Sequence, residues 1–251
     1  MLEFHALVVA AFLIFLVKVV FGAALKYRSR TTHVPSPVVI VVMGPSHSGK
    51  TLLCQALQEK LANSQRPFIY VNSNELFGRL PKTIFPDIDS SASPNVGDPM
   101  FHAWTYVKQP DGAMNLVLAD RGVRCMHGLH RSWSCFVQSG CNLLIEYCVT
   151  DESLLNDLFS VLRSVLGRKL ERLVIVDLRG PISDLIRREA DTNKTAGIHP
   201  TGFALSTFKL SRNLRSFPTY ATRILIDVAP GTTAEEVADK TYRSVYRTRL
   251  L

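Results

Sequence analysis

The stretch Pro37–Ala56, PVVIVVMGPSHSGKTLLCQA, constrains this chain more than any other. Val38 to Met43 is a run of apolar, mostly β-branched residues, the pattern of a fully buried strand. It breaks at Gly44 into GPSHSGKT and resumes with helical spacing at Leu52, Leu53, Ala56, Leu57 and Leu61. Strand, G-x-x-x-x-G-K-[ST], helix is the arrangement of a phosphate-binding loop. Gly44 and Gly49 let the backbone bend so that successive N–H groups face inward. Lys50 brings a mobile positive charge to the β- and γ-phosphates, and the Thr51 hydroxyl can ligate Mg²⁺. The helix that starts here adds its positive dipole end. The whole loop (Gly44, Pro45, Ser46, His47, Ser48, Gly49, Lys50 and Thr51) is therefore expected to bind nucleotide.

The chain has 251 residues, 47% of them hydrophobic, enough for one α/β domain with a full core plus additions. Its formal charge of +8 is spread widely, without a basic run or an aromatic-interleaved basic patch, so nucleic acid is not an expected partner. Five cysteines, Cys54, Cys125, Cys135, Cys141 and Cys148, contain no C-x-x-C pair. They read as reduced thiols in apolar elements, in a cytosol-like compartment.

Ala6 to Leu25 is apolar except for Lys18, and at 1.5 Å per residue it spans the ~30 Å core of a bilayer. Lys18 can snorkel, and the surrounding Leu, Ile, Val and Phe residues outweigh its cost. Lys26, Arg28 and Arg30 follow at once, so the positive-inside rule puts the loop-bearing domain on the cytosolic or matrix-like side. A cleavable signal peptide is the rival, against which stands an N-terminal region with no basic residue. The expected organisation is a transmembrane anchor with basic flank at 1–30, a linker at 31–37, and one domain at 38–251. The lipid bilayer, of the endoplasmic reticulum or a mitochondrion, is an expected partner, as is a membrane-protein complex.

Pro67 to Val71 reads as a second strand, leading into a short helix in NSNELFGRLP that Pro81 stops. Lys82 to Phe101 reads as a surface loop. Trp104–Val107 and Met114–Leu118 flank Pro110-Asp111-Gly112, a hairpin signal. Helical spacing over Val123–Ser139, Leu154–Leu166, Pro181–Ala190, Thr201–Leu214 and Thr233–Arg247 alternates with apolar strands at Cys141–Val149, Arg172–Leu178 and Arg223–Val228. The alternation predicts a five-stranded parallel sheet covered on both faces.

Several stretches resemble the chloramphenicol phosphotransferase-like family of P-loop small-molecule kinases. They are the loop itself, NELFGRLP at 74–81, GLHRSWSCFVQSGCNLLIEYCVTD at 128–151, VDLRGPISDLIRREADTNKTAG at 176–197, and the tail RILIDVAPGTTAEEVADKTYRSV. The resemblance implies a three-layer α/β P-loop NTPase fold of the nucleoside-kinase type, ATP and Mg²⁺ as cofactors, and phosphoryl transfer to a hydroxyl of a small molecule. Carried over, Thr51 and Glu146 hold Mg²⁺, His130 and Arg131 touch the acceptor, and Arg187 and Lys194 are lid cations beside the transferring group. The family's general-base Asp falls on Asn74, or on Asn72 in the other alignment, and an amide accepts no proton at neutral pH. Glu75 or Asp120 then stands in for it. By its own spacing Trp133 reads as a core residue, and Asp111-Gly112 as a turn.

The substituted base keeps a second reading open, a catalytically degenerate nucleotide-binding subunit or scaffold of a membrane complex. A third is a membrane-anchored GTPase similar to the signal-recognition-particle receptor β subunit. Against the third, D-x-x-G is reduced to Asp120-Arg121-Gly122 and N-K-x-D is absent.

Overall fold

A computed structural model describes residues 36–62, 67–73, 104–195, 200–214 and 217–248, leaving aside the side chains of 194 and 195. All of these but Ser36 belong to the unit Pro37–Leu251. The predicted membrane span at Ala6–Leu25, the short helix after Asn74 and the loop at 82–101 lie outside the described residues. Among the described residues, no helix is long and apolar enough to cross a membrane.

The elements in chain order are β1 (Val39–Gly44), α1 (Lys50–Ala62), β2 (Phe68–Asn72), β3 (Trp104–Lys108), β4 (Met114–Leu118), α2 (Asp120–Gln138), β5 (Asn142–Cys148) and α3 (Glu152–Leu166). After a single 3₁₀ turn come β6 (Leu173–Arg179), α4 (Ile182–Thr195), α5 (Phe203–Asn213), β7 (Thr222–Asp227) and α6 (Ala234–Arg247). Five strands form one parallel sheet in the order β2-β5-β1-β6-β7, and β3 and β4 pair as a separate antiparallel hairpin.

β1 lies at the centre and all its residues are buried, because both of its faces and both of its edges are covered. Alternation of side chains divides the core in two. Val38, Ile40 and Val42 face Leu53, Leu57 and Leu61 of α1 and Val237 and Val245 of α6. Val39, Val41 and Met43 face Met126, Trp133 and Val137 of α2 and the Leu154–Leu166 stripe of α3. Local chemistry fixes the helix starts. Asp151 caps α3 by accepting from Ser153 N at 2.6 Å, and Thr233 and Glu236 form a reciprocal capping box on α6. All five cysteines are free; Cys54 and Cys148 are buried, whereas Cys135 is exposed on α2.

α5 ties the hairpin to the sheet domain. Met114 N donates to Gly202 O at 3.0 Å, Ser206 Oγ to Asn115 Oδ1 at 2.6 Å, and Lys209 pairs with Asp111 in the hairpin turn. The hairpin is thereby fixed to the helix that also touches the phosphate loop.

Candidate active site at the phosphate loop

The loop leaves the carboxyl end of β1, the edge at which open α/β sheets hold their ligands. Gly44 is required by space. A Cβ there would stand 2.8 Å from the Leu178 carbonyl on the adjacent β6. Gly49 is required by conformation, with φ at 90°. Lys50 opens α1 and is only 5% exposed, with its Nζ donating to Pro45 O at 2.6 Å, so the cation lies folded across the loop.

Beside the loop stands a buried carboxylate. Glu146, 2% exposed, accepts from the Thr51 hydroxyl at 2.7 Å through one oxygen. Its other oxygen accepts from Asn72 Nδ2 at 2.8 Å and from the Tyr70 hydroxyl. Sheet register makes this meeting possible, because Asn72, Glu146 and Val42 are level on β2, β5 and β1. Burial first, and the carboxylate second, hold the Tyr70 phenol protonated far above its ordinary range. Burial likewise pushes the Cys54 thiol up, with Glu146 adding to it. Among the described residues no group of three His, Cys, Asp or Glu could hold a metal by itself. A Mg²⁺ ion here would therefore need Thr51, Glu146 through water, and the phosphates together.

The other side of the loop is held by α4 and α5. Arg188 Nη1 donates to His47 O at 3.4 Å, and Ser46 N donates to Thr207 Oγ1 at 2.9 Å. Glu189, 1% exposed, accepts from the backbone N–H of Gly202 at 2.8 Å and of Ala204 at 2.7 Å, fastening α5 to α4. Next to the loop lies a cleft of about 50 Å³, lined by Gly49, Leu178, Arg188, Val228, Thr232 and Thr233 among others. On the opposite face of the sheet, buried Asp177 accepts from Arg223 at 2.5 Å and from Arg179 at 3.3 Å, and the Arg223 guanidinium lies 3.4 Å from the Phe217 ring centroid.

The structure therefore brings Gly44–Thr51, Glu146 and Asn72 together. His130 is not on the surface. It is fully enclosed between Trp133 and Tyr147, with Nδ1 2.7 Å from Asp157 Oδ2, so it is a core side chain that presents nothing to a soluble acceptor. Arg131 is exposed on α2, and Asp120 is exposed at that helix's first turn. Arg187 faces solvent at 65% exposure and pairs with Asp184 at 3.2 Å, whereas its neighbour Arg188 is the α4 cation that reaches the loop. Asn74 and Glu75 lie outside the described residues, as does the Lys194 side chain. Arg188, Glu189, Thr207 and Tyr70 are site residues that the sequence reading missed.

No protein-family model matches the chain, and no curated protein matches it. Solved structures do. A candidate kinase from Chloroflexus aurantiacus superposes with a TM-score of 0.50 at 15% identity, covering 83% of this chain and 98% of that one. A gluconokinase from Sinorhizobium meliloti 1021 gives 0.49 at 17%, covering 84% and 93%. A shikimate kinase from Acinetobacter baumannii gives 0.47 at 15%, covering 86% and 97%. The chain has the parallel α/β fold of the P-loop kinases. The likeness is to the fold they share and does not single out the chloramphenicol phosphotransferase-like branch.

Proposed function

We propose that this chain binds Mg·ATP at Gly44–Thr51 and transfers the γ-phosphoryl group to a hydroxyl of a small molecule, as a membrane-anchored relative of the chloramphenicol phosphotransferase-like kinases. The observation that carries it is the contact between Thr51 and buried Glu146. A hydroxyl at the start of α1 and an acid on the neighbouring strand are the two groups that a loop-bound Mg²⁺ requires from the protein. Mg²⁺ held by these groups would supply neutralisation of phosphate charge.

The chain's own residues do the rest. The N–H groups at the start of α1 bind the phosphates, and Lys50 moves from Pro45 O to the β/γ oxygens. Arg188, beside the loop, adds positive charge that offsets the negative charge on the oxygens of the transferring group. The cleft has apolar walls in Leu178 and Val228 and a guanidinium edge in Arg188, a lining suited to one face of a planar base. The acceptor belongs near the hairpin, which α5 holds against the domain. No strong base is required of the amide at 74, or at 72 in the other alignment, because phosphoryl transfer has a loose transition state in which positioning supplies much of the rate. That same amide also favours the second reading, a subunit that binds nucleotide without turnover.

The test is calorimetric titration of the full-length chain in detergent with Mg·ATP and Mg·GTP, beside Lys50→Ala. ATP binding that the variant loses, followed by ATP-dependent phosphorylation of a hydroxylated acceptor, supports the kinase. Binding without transfer to any acceptor supports the degenerate subunit, and preference for GTP overturns the ATP reading. Resistance of the full chain to alkaline carbonate extraction, lost on deleting residues 1–30, tests the anchor.

A further inference from the structure

His47 occupies a backbone conformation that its side chain disfavours. Its φ is 60°, and among the described residues it is the one non-glycine in the left-handed region. A side chain there costs energy that glycine avoids, and such strain concentrates where the residue has work to do. The ring is half-buried, and its Nε2 is shut away from solvent without a hydrogen-bond partner. The next residue repeats the pattern, since Ser48, 3% exposed, has a buried Oγ with no partner. Two consecutive loop side chains thus hold polar atoms that nothing in the described chain satisfies, whereas buried polar groups are ordinarily paired.

The charged groups facing the ring are Lys50 of α1, and Arg188 and Glu189 of α4. Glu189 is already occupied by the N–H groups of Gly202 and Ala204. An unpartnered imidazole nitrogen beside two cations, on a loop that presents backbone N–H groups, has the chemistry of an anion site.

We propose that His47 donates Nε2–H to an oxygen of the nucleotide's phosphate chain, serving with Lys50 as a side-chain ligand of the polyphosphate and coupling nucleotide binding to uptake of a proton. The proposal rests on the nucleotide-binding reading above and deepens it. Without nucleotide, burial chiefly lowers the imidazole pKa, Glu189 opposes that, and Lys50 and Arg188 add to the lowering. A bound polyphosphate brings negative charge against the ring and favours imidazolium. The bound state then holds the proton more tightly than the free state, so affinity rises as pH falls through the histidine range.

The experiment is calorimetric titration of the full-length wild type, His47→Gly and His47→Asn with Mg·ATP, at about pH 7.5 and about pH 6.0 in two buffers of different ionisation enthalpy. Glycine and asparagine both tolerate the left-handed backbone, so each variant keeps the loop while removing the imidazole, and either alone suffices for the comparison. One linked proton changes Kd by at most about tenfold per pH unit. Across this interval the wild type should tighten by about threefold more than the variants, with proton uptake that they lack. Titration of the nucleotide's own phosphates is common to all three proteins and cancels. Identical pH profiles and proton uptake in all three overturn the proposal and leave the nucleotide site standing. No binding by the wild type at either pH overturns both.

Discussion

Replacing Thr207 by valine tests whether α5 holds the phosphate loop in shape. Thr207 is 1% exposed and Ser46 is 7% exposed, so water does not reach the 2.9 Å bond between Ser46 N and Thr207 Oγ1. The two residues are 161 positions apart, and the bond is thus a tertiary clamp. Valine keeps the shape but turns the hydroxyl into a methyl, which strands the Ser46 N–H. The hydroxyl's own bond to Phe203 O at 3.0 Å matters less, because a helical carbonyl is served by its ladder. A buried donor left unsatisfied costs about 1–3 kcal/mol. For a unit of this size each kcal/mol lowers Tm by about 2–4 °C, so Thr207→Val should melt roughly 2–12 °C below wild type. Calorimetric melting gives the global cost, and amide hydrogen exchange at Ser46 reads the clamp directly. Exchange should accelerate in Thr207→Val and return to the wild-type rate in Thr207→Ser, which retains the hydroxyl. Wild-type melting together with wild-type Ser46 protection in the valine variant would refute the clamp.

Three further outcomes follow from the same geometry. Arg188→Ala should weaken Mg·ATP binding by about tenfold, the loss of one charge-assisted contact, while Arg187→Ala, on the solvent face, leaves the calorimetric Kd unchanged. Glu146→Gln keeps an acceptor for Tyr70 and Asn72 but removes the charge, so the Mg²⁺ dependence of ATP binding should be lost while stability changes by about 1 kcal/mol or less. His130 gives a pH signature. Burial lowers its pKa below 6.5, with Asp157 pulling back and His127 adding to the lowering, so the folded state favours the neutral ring. The unfolded chain then takes up the proton first. Stability is complete above about pH 6.5 and falls as pH drops through the lowered folded value, a decline in Tm that should be smaller in His130→Gln.

The sheet was legible because its strands are uninterrupted apolar runs between turn residues, and all five appear within a residue or two of their predicted bounds. Polar helix ends were less so. Spacing ends the helix at Ala190, yet α4 continues to Thr195 and Thr192 Oγ1 donates back to Arg188 O at 2.8 Å. His130 was readable from spacing. Met126, His130, Trp133 and Val137 make one stripe at three- and four-residue intervals, which puts the imidazole on the buried face and Arg131 off it. The same holds for Arg188, which lies beside the buried pair Leu185 and Glu189, whereas Arg187 is turned a further 100° or so toward solvent. Glu189 and Thr207 were not readable. Their partners are backbone N–H groups brought near by the chain's return after α4, and no local pattern encodes that.

Asn72 looks different once the strands are paired. In sequence, the resemblance sets an asparagine, at 74 or in the other alignment at 72, where it implies an aspartate, and this reads as a loss. In the fold, Asn72 stands level with Glu146 on the adjacent strand and donates to it at 2.8 Å. The corner keeps a carboxylate in Glu146, the position the resemblance assigns to Mg²⁺, and Asn72 is a partner of that acid. With Glu146 in place, an aspartate at 72 would set two carboxylates within hydrogen-bond distance, and one of them would have to take up a proton. An amide avoids that conflict and donates instead. Tyr70, one turn of the pleat earlier on the same face, donates as well, and Thr51 completes the set from the start of α1. Three donors, Thr51, Tyr70 and Asn72, thus converge on one buried acid beside the phosphate loop. Asn72 and Glu146 are therefore one arrangement, in which the amide serves the acid as a donor.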